Sequence, residues 1–139
     1  MGLILDSSVL IAGERRNESI RQILSRLRAK HGETVAAISV VTVVELAHGL
    51  YRAKTESDRV RRKDFVEDVY HDLLVYPIGI EIAQLAGRIE GEQMAQGISI
   101  AFQDLLIGAT ALNLGFELAT LNIRHFQKIP DLKIVSPFF

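Results

Sequence analysis

Four apolar residues, Gly2-Leu3-Ile4-Leu5, run without interruption and end on an aspartate, Asp6. A short, continuously apolar run bounded by a polar residue reads as a strand buried on both faces. The pattern then repeats along the chain. Val35 to Ser39, Leu73 to Ile78, Phe116 to Thr120 and Lys133 to Val135 read as further short strands. Between them lie stretches with helical spacing. Asn17 to Lys30 places Ile20, Ile23, Leu24 and Leu27 on one face, and Thr42 to Ala53 places Leu46 and Leu50 four apart. A third stretch carries Val60, Phe65, Val66 and Val69; Ile80 to Gln96 carries Ile82, Leu85, Ala86 and Ile89. Gln103 to Leu114 is apolar on most sides, so that helix is expected inside, with Gly115 as its C-cap. Alternating strands and helices predict an α/β fold, a short, mostly parallel central sheet flanked by helices on both faces.

At 139 residues, with no repeat, low-complexity stretch or linker, the chain is expected to form a single domain over 1–139. Apolar residues make up 48% and charged residues 24%, which excludes disordered and fibrous classes. There is no cysteine, so a thiolate metal site, a disulfide framework and a catalytic thiol are excluded. Asp6 interrupts the first apolar run before it reaches signal-peptide length, and no run approaches the roughly eighteen residues that would span a bilayer. A cytoplasmic protein with no membrane partner is the expectation.

Sixteen basic and seventeen acidic residues give a net charge of -1, which argues against a nonspecific polyelectrolyte binder. The charge is unevenly spread. Glu14 to Lys30 and Arg52 to Lys63 each hold six basic and two acidic residues, whereas Asp64 onward holds four basic and ten acidic. The basic runs are either solvated helix faces or a grip on phosphates flanking an acidic centre.

Open parallel sheets bind ligands beyond the carboxyl ends of their strands. Asp6 follows the first strand. Glu45 lies six residues after Ser39, in what the helix starting at Thr42 makes a first turn. Asp104 opens the buried helix, and Asn122 lies two residues after Thr120. All four are expected at one end of the sheet. Each also has a local explanation: Asp6 as the N-cap of a short helix starting at Ser7, Thr42 and Glu45 as a capping box, Asp104 as a carboxylate favoured by a helix N-terminus. Together they imply more. Three carboxylates about 5 Å apart repel by roughly 3 kcal/mol per pair at an effective dielectric near 20. Such a cluster must raise its pKa values or take up a cation, and an oxygen-only donor set suits Mg²⁺ or Mn²⁺. His31, His48, His71 and His125 show no paired-ligand spacing, which argues against zinc. No G-x-x-x-x-G-K-[ST] loop is present for nucleotide triphosphates.

These residues form a recognisable set. Leu3-Ile4-Leu5-Asp6-Ser7-Ser8-Val9-Leu10-Ile11 resembles the opening motif of PIN-domain nucleases. Ile38 to Leu46, containing Glu45 and followed by Gly49, is similar to the second motif. Asp104 to Ala111, then Gly115, Leu118 to Asn122 and Phe126, resembles the third and fourth, and Ile129-Pro130-Asp131-Leu132 fits the ending. The likeness runs from residue 3 to about 138 and looks most like the VapC-type toxins of toxin–antitoxin pairs. It implies a Rossmann-like sheet in a PIN-like domain over 1–139, and Mg²⁺- or Mn²⁺-dependent endoribonuclease activity. Asp6, Glu45 and Asp104 match the core acidic positions. Asp6 and Asp104 are implied as metal ligands, with Glu45 completing the site directly or through water and Asn122 as a weaker oxygen donor. The last motif, Thr120 to Phe126, carries no carboxylate, so one metal is expected. Ser7, Ser8 and Thr120 are expected as supporting polar groups, and Arg15, Arg16 and Arg124, with the Arg52 to Lys63 stretch, as contacts to RNA. The resemblance further implies a small antitoxin that sets a basic side chain into the acidic site, a homodimer, and a hetero-oligomer with the antitoxin. The alternatives are a PIN-type nuclease acting on other nucleic acid outside a toxin–antitoxin system, and a non-catalytic metal- or RNA-binding domain.

Overall fold

The computed structural model describes residues 2–137; residues 1, 138 and 139 of the expected 1–139 domain lie outside it. Five strands, β1 (Gly2–Leu5), β2 (Val35–Ser39), β3 (Leu74–Tyr76), β4 (Glu117–Ala119) and β5 (Ile134–Val135), form one sheet in the order β3-β2-β1-β4-β5. Every pairing is parallel, so the sheet is wholly rather than mostly so. β1 lies at its centre, with Ile4 opposite Ala37 of β2 and Leu118 of β4. From β1 the chain winds outward through β2 and β3, then crosses back to β4 and β5. The strand order therefore reverses at β1, and the crevice at such a reversal is where open α/β sheets bind ligands.

The unbroken apolar run of β1 follows from burial on both sides. Leu3 and Leu5 pack into one cluster with Leu10, Ile23, Leu27 and Val69. Ile4 points the other way, into a second cluster with Ile89, Leu105, Ile107 and Phe126. Alternate side chains of one strand thus anchor two layers of helices.

The helices are α1 (Ser7–Arg15), α2 (Ile20–His31), α3 (Val40–Leu50), α4 (Glu56–Asp72), α5 (Ile80–Ala95), α6 (Phe102–Leu114) and α7 (Ile123–Phe126). Several boundaries differ from those expected. α2 starts at Ile20 rather than Asn17, because Asn17 adopts a left-handed φ of 60° and Ser19 with Gln22 forms the capping box. α3 starts at Val40 rather than Thr42 and stops at Leu50 rather than Ala53; its N-cap is Ser39, whose hydroxyl accepts from the Val41 N–H at 3.1 Å. Thr42 is fully buried inside the helix, so the Thr42–Glu45 capping box does not exist. Nor is Glu45 in the first turn; it lies in the second. β3 and β4 are each shorter than expected, and α1 and α7 add helical turns where none or little was anticipated. Gly115 does cap α6, with a φ of 69° that favours glycine. Among the described residues no helix is long and apolar enough to cross a membrane.

Candidate active site

β1 delivers Asp6 to the reversal point. Its backbone N–H continues the sheet by donating to the Ala119 carbonyl at 3.0 Å. Its carbonyl side begins α1, yet its carboxylate makes no capping bond, so the capping explanation fails for the side chain. Instead Oδ2 accepts from Ser8 Oγ at 2.7 Å and Thr120 Oγ1 at 2.9 Å. A hydroxyl has one proton and two lone pairs. With both protons directed to Asp6, each oxygen is free to accept: Ser8 Oγ from the Leu121 N–H at 3.1 Å, Thr120 Oγ1 from the Asn122 N–H at 2.9 Å. The chain leaving β4 is thereby tied to the end of β1 through a carboxylate that is only 3% exposed.

Glu45 reaches the same end from α3. Ser7 Oγ donates to its Oε2 at 3.0 Å, while Oε1 is buried with no hydrogen-bond partner among the described residues. Burial pushes the Glu45 pKa up; the Ser7 bond opposes this, and the charges of Asp6 and Asp104 push it further. Asp104 stands in the first turn of α6. Its pKa is also raised, first by burial and then by Asp6, against the lowering influence of His125 and Lys128. His125 Nδ1 lies 3.4 Å from Asp104 Oδ2.

The three carboxylates therefore face one another closely enough to repel. They are not drawn into the tight cluster expected from sequence: among the described residues, no group of three Asp, Glu or His side chains is gathered closely enough to grip an ion by itself. Their chemistry nonetheless fits a hard cation. The donors are all oxygens, their repulsion favours positive charge, and Glu45 Oε1 is an unpartnered acceptor, costly to bury as it stands. Mg²⁺ keeps several of its waters and takes only one or two carboxylates directly, which suits a spread set of this kind.

The raised pKa values carry a stability consequence. Between glutamate's ordinary 4.5 and its raised value, the folded chain holds more protons than the unfolded one at Glu45. Stability therefore falls as pH rises through that window, and the loss is complete above it. Glu45→Gln retains an oxygen that can accept from Ser7 and has no charge to bury. Without metal it should melt above wild type near neutral pH, and the advantage should vanish below 4.5. Thermal melts in chelator across that range test it.

The other expected residues separate. Ser7, Ser8 and Thr120 all join the site. Asn122 contributes its backbone N–H to Thr120 while the residue itself is exposed. Arg124 is exposed on α7. Arg16 is engaged away from the carboxylates, with its Nε 3.2 Å from Glu18. Arg15 lines a groove of about 240 Å³ between α1, α3 and α4, with Glu45, Arg52, Arg62 and Phe65. Of the Arg52 to Lys63 stretch, only Arg52 and Arg62 line the groove; Arg59, Arg61 and Lys63 pair with Glu56, Asp58 and Glu67 along α4. Both readings of that stretch thus hold in part. Lys128 and His125 were missed. No motif or spacing in the sequence links His125 to Asp104, twenty-one residues earlier.

The family model described as PIN domain matches residues 3–132. The chain is 35% identical over 136 residues to a protein named Ribonuclease VapC1 from Rickettsia felis, covering 98% of this chain and 96% of that one. It is 34% identical, with the same coverage, to Ribonuclease VapC from Rickettsia bellii. Among solved structures, DNA-bound VapBC from Salmonella typhimurium superposes with a TM-score of 0.83 at 22% identity, covering 99% of this chain and 98% of that one. VapBC2 from Rickettsia felis, bound to a promoter DNA fragment, gives 0.80 at 23%, covering 98% of each. At these identities the two structures attest the fold.

Proposed function

Because this chain belongs to the PIN-domain family, we propose that it is an endoribonuclease dependent on Mg²⁺ or Mn²⁺, the toxin of a type II toxin–antitoxin pair acting in the cytoplasm. The observation that carries the reading is the mutual repulsion of Asp6, Glu45 and Asp104 near the sheet's reversal point, with one Glu45 oxygen buried and unpartnered. The names of the relatives, Ribonuclease VapC, support RNA as the substrate.

Asp6 and Asp104 would hold the metal, directly or through water. Once bound, the metal supplies Lewis acidity: it makes a water more acidic and offsets phosphate charge. Glu45 would orient the attacking water and accept a proton from it. Ser7 holds the Glu45 carboxylate in place; Ser8 and Thr120 hold that of Asp6. Arg15 and Arg52, which line the groove that reaches Glu45, would hold the RNA backbone during in-line displacement.

The partner is a small antitoxin, in keeping with the VapBC assemblies to which the fold is similar. A basic side chain set against the three carboxylates would satisfy Glu45 Oε1 and oppose metal uptake. The working unit is a homodimer, joined to antitoxin in a hetero-oligomer.

The test is cleavage of end-labelled RNA with Mg²⁺, Mn²⁺ or EDTA, beside an identically purified Asp104→Asn variant. Metal-dependent cutting by wild type alone is expected. Equal cutting by both would overturn the assignment of the site. Silence from both on total cellular RNA, with metal still bound, would leave a binding domain.

A further inference from the structure

Each of the three carboxylates has one oxygen met by a neighbouring side chain. Asp6 Oδ2 receives Ser8 and Thr120, and Glu45 Oε2 receives Ser7. Asp104 has no hydroxyl in this role. The side chain against its Oδ2 is the His125 imidazole, with Nδ1 at 3.4 Å. We propose that His125 is a positioning residue of the metal centre: it fixes Asp104 through Oδ2 and leaves Oδ1 for the ion, as the serines and threonine do for the other two carboxylates. The inference rests on the metal-dependent reading above and assigns that site a fourth side chain.

The local fold supports the role. α7 is a single turn, pinned by Phe126, which is fully buried. The His125 N–H donates to the Asn122 carbonyl at 3.1 Å, and the Ile129 N–H to that of Phe126 at 3.1 Å. The backbone beneath the imidazole is therefore held, although the side chain is 62% exposed and contributes little to the core. Asp104 needs such a partner. Asp6 repels it, and the His125 imidazole standing against Oδ2 counters that repulsion. The contact is long for a hydrogen bond, as such bonds often are before ligand binds. Outer partners of metal-binding side chains typically govern affinity by about 10–100-fold.

The experiment is Mn²⁺ titration by calorimetry of wild type, His125→Ala and His125→Asn, with single-turnover RNA cleavage at saturating Mn²⁺. Asparagine places an N–H close to the position of Nδ1. His125→Ala should bind Mn²⁺ about 10-fold more weakly, with an unchanged melting temperature without metal and an unchanged KM for RNA. His125→Asn should recover most of the affinity. If His125→Ala binds Mn²⁺ as wild type does, the proposal falls and the functional reading stands. A raised RNA KM with intact Mn²⁺ affinity would also overturn it, making His125 a substrate contact. If wild type binds no Mn²⁺, the metal-dependent reading itself fails and takes this role with it.

Discussion

Asp6→Asn is expected to lower metal-dependent RNA cleavage by roughly 10²–10³-fold, the scale of losing one electrostatic contact made to the developing transition-state charge. The substitution is nearly isosteric. Its amide oxygen can still accept from Ser8 and Thr120, so the tie between the ends of β1 and β4 survives. What disappears is the charge at a site only 3% exposed, and with it the repulsion that helps to raise both Glu45 and Asp104. The metal-free variant should therefore melt at or above the wild-type temperature while losing activity. That combination separates a chemical defect from a folding one. Single-turnover cleavage beside thermal melts in chelator checks it. An active variant, or an inactive one that melts far lower, would remove Asp6 from the proposed metal site and leave it a structural link.

Phe126→Ala should produce the largest loss of stability. Phe126 is fully buried against the cluster that includes Ile89, Leu105 and Ile129. Removing a buried phenyl ring costs about 3–5 kcal/mol through lost burial and the cavity left behind. For a chain of this length that is on the order of a 10–20 °C fall in melting temperature. The effect should reach the site as well. Phe126 anchors the single turn that carries His125, and the turn contributes no other fully buried side chain. Among molecules still folded, Mn²⁺ affinity should fall with it. Denaturant unfolding gives the first quantity and calorimetry below the transition the second. A drop of less than about 1 kcal/mol would mean that the site collapses onto its neighbours, the low end of large-to-small costs.

The three acidic positions were legible because each is tied to a local signal. Asp6 ends an apolar run, Glu45 lies one and a half turns past a strand's last serine, and Asp104 opens an apolar helix. Their local explanations were weaker than they looked. Asp6 does occupy an N-cap position, but its carboxylate is directed to two hydroxyls instead of the helix. The Thr42–Glu45 pattern matches a capping box by letters alone. Ser39, three residues earlier, takes the cap because it is also the last residue of β2. α7, at four residues, is too short for any periodicity to register.

The alternating apolar runs carried the architecture, and the residues just past those runs marked Asp6, Glu45 and Asp104 as candidates. Alternating apolar runs admit few arrangements other than a parallel sheet covered on both faces, and such a sheet gathers the residues just past its strands at one end. Tertiary structure decided which side chains serve that set. Ser8 meets Thr120 only because β1 and β4 are neighbours across 112 residues of chain. His125 meets Asp104 only because α7 is pinned by a buried ring. Of the basic run Arg52 to Lys63, only Arg52 and Arg62 face the groove. Local periodicity encodes which face of an element is buried. It carries no record of which distant hydroxyl or imidazole will stand within about 3 Å of a carboxylate, because hydrogen bonds are short and the chain that must close to make them is long.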